Sequence, residues 1–293
     1  MPNGQIMKAL SGFYYVRSEG NLYPCKGRGN FRKKKVTPLV GDYVTFETDV
    51  NDEGYILGVQ ERRNELIRPP IANVDQAIVV ASVVEPEFKT FLLDRFLVLV
   101  ESKSIQPIIV FTKTDLASEQ QMDQMEQYKR DYEALGYVVI MGSVKVEQNM
   151  EMIIPHLRGK TSVVAGQSGV GKSSLLNALH PSLAIETNDI SKSLGRGKHT
   201  TRHVELIELE EGLVADTPGF SSLELHDIEL ETLRDYFPEL KHYGEQCKFR
   251  GCMHHKEPKC AVKEAVASGL ISAYRYNNYM QFYEDIQNRK PRY

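Results

Sequence analysis

The octapeptide Gly166-Gln167-Ser168-Gly169-Val170-Gly171-Lys172-Ser173 satisfies Gly-x-x-x-x-Gly-Lys-Ser, a spacing that binds phosphate. Its glycines let successive backbone N–H groups converge on phosphate oxygens at the positive end of a helix dipole. Lys172 adds a cation for the β and γ phosphates, and Ser173, followed by Ser174, adds a hydroxyl for Mg²⁺. The apolar "TSVVA" before the loop and the helical "SLLNALH" after it supply the strand–loop–helix context. Asp216 closes another apolar run in "GLVADTPGF", with Gly219 three residues on. An aspartate there can hold the Mg²⁺ shell, and a glycine N–H can meet the γ phosphate. Between them, the polar "SLGRGKHTTRHVEL" reads as a switch loop whose Thr200 or Thr201 would complete that shell.

The second group is Thr112-Lys113-Thr114-Asp115, at the end of the β-forming run "PIIVF". Asp115 can accept from both N1–H and the exocyclic amine of guanine, a donor pair that adenine lacks, while the Lys113 stem covers the ring face. Ser143, after "YVVIM", is the second base-contacting candidate. An ordinary GTPase runs phosphate loop, switch, Asp-x-x-Gly, base reader. Here the base reader comes first, which a circular permutation produces by joining the old ends and opening new ones in a surface loop.

The third group is Cys247, Cys252, His254 and Cys260 within "CKFRGCMHHKEPKC". Three thiolates and an imidazole suit tetrahedral Zn²⁺ and leave no open position, so the site is expected to be structural; His255 competes with His254 as the fourth ligand.

The elements around these groups change character along the chain. From Gly12 to about Ile67 short β-like runs ("GFYYV", "NLYPC", "DYVTFET", "GYILGV") alternate with turn residues, which fits a small closed barrel of the oligonucleotide-binding type. Arg68-Pro69-Pro70 reads as a linker. From Val74 strands and helices alternate, arguing for a doubly wound, mostly parallel sheet. Met122, Met125, Tyr128, Tyr132 and Leu135 mark one helix face that Gly136 would stop. After "DTPGF" strand signals fade and a mainly helical zinc unit follows. The expected divisions are 1–68, 69–222 and 223–293.

With 293 residues and a 41% hydrophobic content, the chain can bury several cores, and its longest apolar runs are far too short to span a bilayer. No membrane partner and a cytoplasmic location are expected. Residues 1–40 carry eight basic side chains against Glu19 alone, so that end could face a polyanion through Arg28, Arg32, Lys33, Lys34 and Lys35.

The permuted motif order, the preceding "RRNELIRP" and the cysteine–histidine spacing together resemble the small-ribosomal-subunit-dependent GTPase A (RsgA) family over nearly the whole chain. The resemblance implies a multidomain α/β protein: an N-terminal oligonucleotide-binding barrel, a circularly permuted P-loop GTPase and a C-terminal zinc unit. It also implies late maturation of the small (30S) subunit, contact with 16S rRNA, hydrolysis of GTP to GDP stimulated by that subunit, and a monomer. Phe220 stands where other GTPases place a catalytic glutamine, and His199 in "GRGKHTT" would orient the attacking water instead. Thr112 departs from the usual asparagine. Two other readings compete: a nucleotide-regulated RNA-binding assembly factor in which hydrolysis is incidental, and a metabolic ATPase or kinase, against which Asp115 argues.

Overall fold

Eleven strands run in one continuous sheet that combines two architectures, in a computed structural model that describes residues 1–27, 31, 36–48, 54–145, 151–180, 204–220 and 225–289, with the backbone alone described for 216–220. The first five strands are β1 (Asn3–Leu10), β2 (Phe13–Ser18), β3 (Asn21–Gly27), β4 (Tyr43–Thr48) and β5 (Gly54–Val59). β1 pairs with both β2 and β4, β2 with β3, β3 with β5 and β5 with β4, so the strands close into a barrel. Ile6, Val16, Cys25, Val44, Phe46 and Ile56 fill its interior. β2 to β5 match the four short runs seen in the sequence, whereas β1 was missed. A register shift between Ile6 and Lys8 buries Ile6 and Met7 in succession, which breaks the alternation that marks a half-buried strand.

Arg68-Pro69-Pro70, read as a linker, is the tip of a short hairpin between β6 (Glu65–Leu66) and β7 (Ile71–Ala72). The residues before it form a clasp. Arg62 donates from Nε and Nη2 to the buried Asp42 carboxylate at 2.8 Å each, Arg63 pairs with Asp75 at 2.7 Å, and the Asn64 amide brackets Val74 at 2.8 and 2.9 Å.

The remaining strands are β8 (Gln76–Ser82), β9 (Gln106–Thr112), β10 (Val138–Met141), β11 (Thr161–Ala165), β12 (Glu205–Leu209) and β13 (Gly212–Phe220). The order is β10-β9-β8-β11-β13-β12, parallel except for β12, which also meets β1 of the barrel through Glu205 opposite Lys8. Ile78, Val80, Ile108 and Val110 enter one core, and Ala77, Val79, Ile109 and Phe111 enter the other. A sheet buried on both faces reads as unbroken apolar runs, as "AIVVASVV" does.

Among the described residues the α-helices are α1 (Thr90–Glu101), α2 (Glu119–Ala134), α3 (Ile154–Leu157), α4 (Lys172–Leu179), α5 (Pro238–Gly244), α6 (Ala261–Ala267) and α7 (Ala273–Gln287). α2 starts at a capping box formed by Ser118 and Gln121, buries Met125 and Tyr132, and ends before Gly136 at φ +91°. α5, α6 and α7 share a core containing Phe237, Leu240, Val262, Tyr279 and Phe282, to which α1 contributes Val98. A buried polar latch joins these helices to the parallel sheet. Arg275 on α7 pairs with Asp94 on α1, and donates to Glu239 on α5 from Nε at 2.6 Å and Nη2 at 3.1 Å. Tyr132 and Asn278 each donate to Asp94 at 2.6 Å.

Candidate functional site

The carboxyl ends of parallel strands in an open α/β sheet are where ligands bind. Here Ser82 sits in register with Thr112, and Ala165 with both Val79 and Phe220, so β8, β9, β11 and β13 end at one edge. Thr112 and Val170 are far apart in the chain, yet the Thr112 hydroxyl donates to the Val170 carbonyl at 2.6 Å. The strand that ends in the candidate base reader and the candidate phosphate loop are thereby stitched together in their inverted chain order. That hydroxyl is buried and committed to the loop, so Thr112 acts on the site by placing Val170.

The loop conformation depends on glycine at Gly166. Its φ is +140°, and a Cβ there would lie 2.3 Å from the Val80 carbonyl oxygen. Gly169 and Gly171 also have positive φ, Val170 is buried as the loop's apolar foot, and Ser168 and Gly169 are exposed at its crest. Lys172 opens α4 and folds back over the loop, donating to the carbonyls of Gly166 at 2.9 Å and Gln167 at 2.6 Å. Burial lowers the pKa of its ammonium. A phosphate there would supply a counter-charge. Ser173 and Ser174 follow in the first turn of α4, partly exposed.

On the base side, Lys113 has left-handed backbone, φ +60°, and its Nζ donates to the Glu85 carbonyl at 2.5 Å. Thr114 begins a tight turn and its N–H reaches the Gly142 carbonyl at 3.5 Å. Asp115 is held below the usual carboxylate range, chiefly by a hydrogen bond from Ser143 and next by Lys145, whose Nζ lies 3.2 Å from Oδ2. Ser143, expected to contact the base, here braces Asp115, and Lys145, which the sequence did not single out, joins it. A Ser-x-Lys step directly after β10 was the available signal.

Of Asp216 only the backbone is described, in β13 opposite Glu205, with Gly219 further along that strand. His199, Thr200, Thr201, Arg28, Arg32, Lys33, Lys34 and Lys35 lie outside the described residues.

Around the metal-site candidate, one ligand atom each from Cys247, Cys252, His254 and Cys260 lies within 4.8 Å of every other. A tetrahedral ion with about 2.3 Å to sulfur and about 2.0 Å to nitrogen separates two sulfurs by about 3.8 Å and sulfur from nitrogen by about 3.5 Å. Cys247 and Cys260 Sγ are 3.8 Å apart, and His254 Nδ1 is 3.6 Å from the first and 3.4 Å from the second. The four residues therefore fit Zn²⁺. Burial lowers the His254 pKa to about 4 and pushes the Cys252 thiol up to about 12, so a bound cation would be what keeps the thiolates ionised. His255 is not in the set: its ring packs on Tyr283 at 5.1 Å. The loop is fixed from outside by Arg234 on the Cys252 carbonyl, Tyr276 on that of His254 and Tyr279 on that of Met253, at 2.6, 2.7 and 2.7 Å.

Known proteins resemble this chain along its whole length. The family model of the RsgA GTPase matches residues 59–226, and that of the RsgA N-terminal domain matches residues 3–56. Over 293 residues, covering 100% of each chain, the sequence is 64% identical to the small ribosomal subunit biogenesis GTPase RsgA of Geobacillus sp. (strain WCH70). It is 60% identical, with the same coverage, to the protein of that name from Bacillus cereus (strain ATCC 10987 / NRS 248). Among solved structures it resembles YloQ, described as a circularly permuted GTPase, with TM-score 0.86 and 54% identity over 100% of this chain and 97% of that one. YjeQ from Thermotoga maritima matches with TM-score 0.87 and 38% identity over 99% of both chains.

Proposed function

This chain belongs to the RsgA GTPase family, and we propose that it hydrolyses GTP on the small (30S) ribosomal subunit during a late step of that particle's maturation. The observation that supports this reading is the Thr112–Val170 stitch, which brings two motifs of reversed chain order side by side, as a single guanine-nucleotide site requires. In this reading Asp115 accepts from the guanine edge with Ser143 bracing it, and Lys113 covers the ring. The backbone from Gly166 to Ser174 cradles the phosphates, and Lys172 exchanges its two loop carbonyls for phosphate oxygens. Mg²⁺, when bound with GTP, neutralises phosphate charge, and Ser173, Asp216 and Thr200 or Thr201 would hold it. The Gly219 N–H meets the γ phosphate. His199 is assigned to the attacking water, because Phe220 follows Gly219 where glutamine would serve. Catalysis of this kind is mostly positioning and charge stabilisation, so an incomplete set of groups leaves turnover slow until a partner completes it.

One structural Zn²⁺ at Cys247, Cys252, His254 and Cys260 would staple the C-terminal helices. The divisions 1–68, 69–222 and 223–293 then assign RNA contact to the barrel and its basic loop, nucleotide chemistry to the centre, and a metal-stiffened unit to the end. The protein is proposed to act as a monomer in the bacterial cytoplasm, contacting 16S rRNA. Among the described residues no helix is long and apolar enough to cross a membrane.

Co-sedimentation with purified small subunits tests the cycle. The protein should pellet with subunits in a non-hydrolysable GTP analogue, remain in the supernatant with GDP, and keep its GTP under excess ATP. Equal pelleting in both nucleotides would overturn the proposal.

A further inference from the structure

The guanine-reading lysine is held by a turn that none of the nucleotide motifs contains. Ser82, the last residue of β8, is 1% exposed, and its hydroxyl accepts from the backbone N–H of Val84 at 3.3 Å and of Glu85 at 3.0 Å. Those two bonds fold the chain back on itself, as serine hydroxyls do in tight turns, and fix the Val84–Glu85 peptide, directly before the peptide unit that carries the Glu85 carbonyl. The Glu85 carbonyl then receives Lys113 Nζ at 2.5 Å. The turn is anchored on both sides. Val83 N–H donates to the Thr112 carbonyl at 3.0 Å, and Phe88 packs on Phe111 and Tyr128 with ring centroids 5.2 Å apart in each case. A Cβ on Gly169 would lie 3.8 Å from Pro86, so the same turn borders the phosphate loop.

We propose that Ser82 is a positioning residue for guanine-nucleotide binding, acting through the Glu85 carbonyl on Lys113. A lysine tied down at its ammonium lays its aliphatic stem along a defined path, so the stem is ready to cover a ring instead of sampling solvent. This rests on the assignment of Lys113 and Asp115 as base readers.

Titration of the full-length protein with fluorescent GDP tests it. Ser82→Ala and Ser82→Val should bind roughly three- to ten-fold more weakly, about one hydrogen bond's net worth, and Ser82→Thr should bind like the parent. Ser162, a buried serine further back in the same sheet that accepts from Gln76 at 2.9 Å, supplies the control: Ser162→Ala should leave GDP binding unchanged. In a Lys113→Ala background Ser82→Ala should have no further effect, because its only route to the base has gone. Parent-like binding by both Ser82→Ala and Ser82→Val, or the same loss with and without Lys113, would overturn the proposal. If Ser82→Ala does not fold, the Thr and Val variants, which share a shape, decide it. Asp115→Asn tests the underlying assignment separately. It should transfer preference from GTP to XTP, and an unchanged preference would remove the base-reader reading whatever Ser82 does.

Discussion

Arg275→Met is expected to destabilise the protein by about 3–5 kcal/mol, the usual result of breaking a buried ion pair from one side. The Arg275 side chain is 2% exposed and lies between Asp94 and Glu239, whose side chains are 0% and 4% exposed. Without it Glu239 loses both of its bonds from α7, and Asp94 retains those from Tyr132 and Asn278. Burial already raises the Asp94 pKa against the opposing pull of Arg275. Removing the cation raises it further, so the folded state binds protons that the unfolded state releases, and stability falls as pH rises through the folded pKa. The deficit should therefore be larger at pH 8 than at pH 5. Urea unfolding followed by far-UV circular dichroism at the two pH values measures it. The triple change Asp94→Asn, Glu239→Gln, Arg275→Met strands no charge and leaves Tyr132 and Asn278 a carbonyl acceptor at position 94, so it should recover much of the loss. A deficit below about 1 kcal/mol, or a triple variant as weak as the single one, would refute the latch as a desolvated network. Because α1 closely follows β8, the latch ties the C-terminal helices to the sheet edge proposed for the nucleotide.

Three further outcomes are expected. Metal analysis should find one zinc per chain, and Cys252→Ser should lose it together with the near-UV dichroism of Tyr276, Tyr279 and Tyr283; a retained signal without metal would contradict a structural role. Lys172→Ala should weaken GTP binding by roughly 100-fold in a fluorescent-analogue titration, since it deletes the partly buried cation nearest the phosphates. Replacing Arg32, Lys33, Lys34 and Lys35 with Glu should weaken subunit binding and reduce its log–log salt slope by roughly 0.7–0.9 per lost phosphate contact; an unchanged slope would assign that loop to solubility alone.

The parts legible in the sequence were those whose chemistry forces residue type at close spacing. Gly166 must be glycine because Val80 leaves no room, and the four cysteine and histidine candidates were legible because they fall within one short stretch of chain, 247–260. The parallel sheet was legible because burial on both faces leaves little polar residue in its strands. What escaped notice depends on long-range partners. β1 hides behind a bulge, and the clasp around Arg62 and Arg63 looks like surface charge until Asp42 and Asp75 are placed. Asp94 and Arg275 sit inside helices whose periodicity gives no hint that they pair. Lys145 lies two residues past Ser143, but only the fold sets it beside Asp115.

GTP turnover by the full-length protein, measured with and without purified small ribosomal subunits at the same GTP and Mg²⁺ concentrations, tests the central claim most directly. Slow turnover alone and markedly faster turnover with subunits is the expected result, because Phe220 leaves the isolated site without a water-orienting glutamine. Equal rates in the two conditions would contradict a partner-completed GTPase.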